Sequence, residues 1–127
     1  MTQEEKDLLL QDLCGRLPYK VKCKYYDCYE GAYDEGIIRG LERHEYMEIN
    51  GRCIHIEEVK PYLFPMSSMT KEQTFEIRSY LNSIEGKMIG MQGRAIYIID
   101  WLNKHYFDYR GLIEKSLALD ATGLNIY

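Results

Sequence analysis

His105 is the residue whose neighbours most invite chemistry. It follows Asp100 by five positions and precedes Asp108 by three. A histidine oriented by a carboxylate can exchange a proton near neutral pH, so His105 with Asp100 or Asp108 could serve a small enzyme as general base. Cys14 and Cys53 could be nucleophiles if folding brought a histidine beside either. No motif ties these groups together, and a histidine between acids more often hydrogen bonds at a helix end. A non-catalytic protein is therefore the better expectation. Cys23-x4-Cys28 with Cys53-x-His55 offers a metal reading, but that spacing matches no usual zinc pair. Cys23 and Cys28 would also face opposite ways on one strand. Free thiols are expected, with no metal and no cofactor.

The same histidine belongs to a stretch, Ala95 to Glu114, that holds the only tryptophan and one of the three phenylalanines. On a helix, Ala95, Ile98, Ile99 and Leu102 recur at i, i+3, i+4, i+7 and predict an inner face. Asp108 reads as the N-cap of a second helix from Tyr109 to about Leu119. At the corner between the two, Tyr97, Trp101, His105, Asp108 and Arg110 could form a binding surface, since Trp, Tyr and Arg are enriched at contact hot spots. The alternative is that the aromatic groups simply fill the corner.

A nucleotide or a single-stranded nucleic acid would need cations and stacking rings. Lys20, Lys22 and Lys24 alternate along Tyr19 to Tyr25 and predict a strand with a basic outer row, near Tyr26 and Tyr29. Such lysines also commonly guard a sheet edge. The glycine-rich run from Gly86 to Arg94 could offer amides, Lys87 and Arg94 to a phosphate. It lacks the Lys-Ser/Thr ending of a P-loop, and a hinge or helix break is the simpler reading.

The elements that must position these groups follow from pattern. Thr2-Gln3-Glu4-Glu5 is a capping box opening a helix over residues 2–14, with Leu9, Leu10 and Leu13 inward and Gly15 just past its end. Glu30-Gly31 and Asp34-Glu35-Gly36 are turn signals. Ile37, Ile38 and Leu41 predict a short strand. Asn50-Gly51 between Glu45–Ile49 and Arg52–Ile56 predicts a type I′ hairpin, with Met47, Ile49, Ile54 and Ile56 on the core face and Tyr46 opposite His55. Val59 to Met66, with two prolines, reads as an ordered loop across the core. Thr70-Lys71-Glu72-Gln73 opens another helix, with Ile77, Leu81, Ile84 and Met88 inward. Residues 121–127 read as a tail docked through Leu124 and Ile126.

A chain of 127 residues is read as one domain, residues 1–127, able to bury a core without staples. The fold class is α+β: a small antiparallel sheet from about residue 19 to 59, with a curled, barrel-like form as a variant, packed on an N-terminal helix and C-terminal helices. Twelve tyrosines suit contact surfaces and self-association. The net charge of −4 disfavours duplex DNA, which is held by neutralising phosphates. No cationic leader and no apolar run of ~20 residues is present, so no membrane association and a cytoplasmic location are expected.

Leu13 to Tyr19, Glu58 to Thr70 and Asp100 to Lys115 carry a resemblance. In order and spacing they resemble a family of short uncharacterised proteins encoded by gut anaerobic bacteria and their phages or prophages. The family has no established activity and transfers no catalytic residue. The resemblance implies an accessory gene product of a phage or mobile element in a bacterial cytoplasm, with host interaction or counter-defence as the context. The leading expectation is a binding protein that engages a host protein or itself as a homo-oligomer. A nucleotide binder that sequesters a signalling nucleotide is the second reading, and the His105 enzyme the third.

Overall fold

In the computed structural model, which describes residues 1–127, Thr2 caps helix α1 (Gln3–Arg16). The Thr2 hydroxyl accepts from the Glu5 amide at 3.1 Å, and the Glu5 carboxylate accepts from the Thr2 amide at 2.9 Å. Both donors would otherwise be orphaned at the helix start. The helix passes through Gly15 and ends at Arg16, later than expected. The chain then reverses at Lys20, which adopts the left-handed conformation with φ 57°.

Strands β1 (Lys22–Asp27), β2 (Ala32–Arg43), β3 (Tyr46–Ile49) and β4 (Arg52–His55) form an antiparallel meander. Asn50 and Gly51 take φ of 52° and 77°, as a type I′ turn requires. The expected register follows: Tyr46 opposite His55, Met47 opposite Ile54, Glu48 opposite Cys53 and Ile49 opposite Arg52. Met47, Ile49, Ile54 and Ile56 are fully buried or nearly so.

The sheet is larger than the sequence suggested. Asp34-Glu35-Gly36 is not a turn; these residues pair with Tyr25, Lys24 and Cys23 inside one long strand. Val59–Pro65 is a strand, β5, rather than a loop, and it pairs antiparallel with β1. Two short strands, β6 (Phe107–Asp108) and β7 (Leu119–Asp120), add to β5 in parallel. The order is β4-β3-β2-β1-β5-β6, with β7 also on β5. The sheet is mixed and open, so it is neither wholly antiparallel nor a barrel. β1 lies between β2 and β5, so its lysines guard no edge.

α1 and the turns at 112–118 pack against the sheet. Leu9 and Leu13 join Val21, Cys23, Tyr25, Ile38, Leu63, Leu112 and Leu117 in one core. Burying each such side chain stabilises the fold by about 1.5–3 kcal/mol. Tyr109–Leu119 is not a helix. Gly111 (φ 73°) and Ser116 (φ 61°) interrupt it, although the Asp108 carboxylate still accepts from the Leu112 and Ile113 amides at 2.8 and 2.9 Å.

Beyond the sheet lie α2 (Lys71–Asn82), α3 (Ile84–Met88) and α4 (Gly90–Lys104), here called the arm. Thr70 and Gln73 form the second capping box. The α2–α3 joint is fixed by Gly86, where a Cβ would stand 2.1 Å from the Tyr80 carbonyl oxygen. α4 is turned from its expected orientation. Tyr97, Ile98, Trp101 and Leu102 face inward, while Ala95 and Ile99 are exposed, as are Ile84 and Met88. The tail is held differently too: Leu124 is exposed, and Tyr127 is the anchor. Its ring stacks on Tyr106 at 3.6 Å, and its hydroxyl donates to the Tyr62 carbonyl and accepts from the Lys22 amide.

Candidate functional site

The five corner residues do not present one open surface. Trp101 is 5% exposed and Asp108 7%. The Trp101 indole stacks on His105 at 4.0 Å and on Phe107 at 5.8 Å. His105 Nδ1 lies 2.9 Å from the Trp101 carbonyl oxygen, a bond at the end of its own helix. Asp108 holds two backbone amides, and Asp100 is exposed on the far side of α4. The acid–base grouping of His105 with Asp100 and Asp108 is therefore not assembled in this geometry. Tyr97 stacks face to face on Tyr80 at 4.0 Å and joins α4 to α2; burial raises its hydroxyl pKa.

Arg110 leads to a buried ion cluster at the seam between α1 and the end of α4. Its Nε lies 3.5 Å from Asp12 Oδ1. Asp12 is fully buried and makes a bidentate pair with Arg16, at 2.7 Å to Nε and 3.1 Å to Nη2. Arg16 Nη2 also donates to the Phe107 carbonyl at 2.6 Å, and its guanidinium lies over the Tyr109 ring. Tyr109 in turn donates to Asn103 at 2.8 Å. The cluster ties α1 to the end of α4 and to β6. A buried pair of this kind is weak as a source of net stability but costly to break from one side. The signal was present in the sequence: Asp12 and Arg16 are i, i+4 in the favourable order, on the same side of α1 as Leu9 and Leu13.

The basic candidates fall on separate elements. Lys20 sits in the reversal before β1. The Lys22 ammonium reaches the Ile126 carbonyl and the Tyr127 ring, and Lys24 lies over the Tyr33 ring. Arg94 Nη1 donates to the Leu81 carbonyl at 2.6 Å, closing the end of α2, and Lys87 is exposed on α3. Lys22, Lys24 and Arg94 thus have internal partners, and Lys87 and Arg94 do not share a phosphate cradle with the strand lysines. Cys23 is buried opposite Gly36 and Pro61, and burial raises its thiol to about 12, which leaves it without thiolate character. No three His, Cys, Asp or Glu side chains converge as a metal cage would require. No helix is long and apolar enough to cross a membrane.

What the structure leaves open is the outer side of the arm. Met91 is 89% exposed, Ile84 and Met88 80% each, Ile96 61% and Ile99 39%. Phe75 on α2 and Ile89 at the α3–α4 joint are exposed as well. α4 alone carries Met91, Ala95, Ile96 and Ile99 outward, while Ile98, Trp101 and Leu102 pack inward. A helix apolar on both sides is normally covered on both sides. Sequence periodicity found the apolar content of α4 but assigned it to one face. Searches against family models, curated proteins and solved structures find no match to this chain.

Proposed function

We propose that this chain is a non-catalytic interaction protein that binds a protein surface through the outer face of the arm. The exposed apolar stripe of α4 carries the reading, because isolated apolar residues are common on protein surfaces but a run of large ones along one helix is not. The corner, with Trp101 buried and Arg110 paired to Asp12, then supports the arm's position. The resemblance to small phage and mobile-element products of gut bacteria supports an accessory role in a bacterial cytoplasm, directed at a host protein or at the chain itself. Site-specific photo-crosslinking in cells tests it. A photoreactive residue at Ile96 should form protein adducts that one at Tyr29, on the sheet side, does not, and Ile99→Glu should abolish them. Equal labelling at Ile96 and Tyr29, or adducts indifferent to Ile99→Glu, would overturn the reading.

A further inference from the structure

Resting on that reading, we infer that the arm's partner is a second copy of this chain, docked antiparallel with α4 against α4 about a two-fold axis between Ala95 and Ile96. The outer stripe of α4 is built for a self-complementary contact. Ala95 leaves a notch beside the projecting Ile96. An antiparallel helix rotated about that midpoint sets Ile96 of each copy into the notch of the other. Ile99 then lies against Met91 and Gln92. Alternation of small and large side chains is how helix surfaces interlock. The same patch meets itself, as a two-fold interface demands.

Charge points the same way. From Met91 to Ile99 the outward side chains are Met91, Gln92, Ala95, Ile96 and Ile99, with no charge among them. Arg94, the one charged group in that span, turns away to the carbonyls of Leu81 and Gly86. Contact would therefore strand no ion at the centre of the interface, and the exposed Asp100, one residue beyond, falls at the end of the stripe opposite Met91 of the second copy. Residues 71–104 carry five basic and four acidic side chains, whereas the whole chain is at −4. Two copies meeting through their arms avoid bringing their acidic parts together. The size also fits. Met91, Ile96 and Ile99 on α4, with Ile84, Met88 and Ile89 on α3 and its joint, expose on the order of 800 Å² between them, so a contact that takes in α3 as well as α4 reaches about one partner's share of a stable interface.

Sedimentation velocity over a wide concentration range tests this on the full chain. The wild type should sediment as a dimer that dissociates on dilution. Ile96→Glu and Ile99→Glu should each sediment as monomers with unchanged far-ultraviolet circular dichroism. In a background with Cys14, Cys28 and Cys53 replaced by serine, Ala95→Cys should oxidise to an interchain disulfide, and Tyr29→Cys should not. A chain monomeric at every concentration, or a dimer that survives both glutamate variants, overturns the inference. A monomer whose arm still crosslinks to another protein in cells overturns self-docking alone and leaves the interaction reading standing. A monomer with no arm-specific crosslink overturns both.

Discussion

Around the sheet, Met47, Ile49, Ile54, Ile56 and Leu63 are sealed by α1 and by the turn carrying Leu112 and Leu117. On α2 no residue is buried at all, and on α3 only Gly86 is. Yet the arm is not poorer in large apolar residues; it directs many of them outward. Its ordered features are the Thr70 capping box, the Gly86 joint, the Arg94 clasp on α2 and the Tyr80–Tyr97 stack. The sheet region is stabilised by burial, whereas the arm is shaped by caps and stacks while its apolar surface stays available. A binding surface and its rigid support are thereby divided between two parts of one chain.

The sharpest way to break this division is at the seam between them. Asp12→Ala would leave Arg16 buried without its carboxylate and should lower unfolding stability by about 3–5 kcal/mol, read by urea titration. Next comes a matched pair. Ile54→Ala in the sheet core should cost about 2–5 kcal/mol, while Ile84→Ala on the arm should stay within about 0.5 kcal/mol at dilutions where copies do not associate. Equal costs would erase the contrast. The two capping boxes sharpen it further. Thr2→Ala and Thr70→Ala should each weaken a helix by about 1 kcal/mol. Hydrogen exchange should report the Thr70 loss within α2 alone, and the Thr2 loss across the α1-covered core.

The smallest effect is a pH dependence confined to the sheet region. Lys6 bonds Glu57 at 2.9 Å, and Gln3 bonds Glu45 at 3.0 Å, clasping α1 to the hairpin. These contacts hold both carboxyls below their ordinary range. Their contribution is therefore present above the ordinary carboxylate pKa and fades as the pH falls through the lowered values. Lys6→Ala should flatten that acid limb in thermal melts and leave the exchange rates of arm amides unchanged.

Local chemistry made much of the architecture legible in the sequence. Asn50-Gly51 set the hairpin and its register, and Thr2 and Thr70 marked two helix starts within a residue. What escaped was decided at long range. Val59–Pro65 carries two prolines and resembles a loop until β1, β6 and β7 supply its pairing partners. Gly111 and Ser116 end a promising helical pattern through left-handed backbone. For α4, Ile96, Ile98 and Ile99 allowed several orientations. Tyr97 against Tyr80 and Trp101 against Phe107 selected among them, and neither contact is visible to periodicity. The candidate site suffered most, because its most eye-catching residue, Trp101, proved to be core.

The seam also bears on the order of events as the chain folds. Arg16 meets the Phe107 carbonyl across 91 residues, and Tyr106 meets the Tyr19 carbonyl across 87. Hairpins close on a scale of about 1–10 μs, but contacts so distant along the chain pay a large loop-closure entropy first. The seam should therefore form after the transition state. Weakening it, as with Tyr106→Phe, should speed unfolding while leaving the refolding rate nearly untouched, so that the seam governs how long the native state persists once formed.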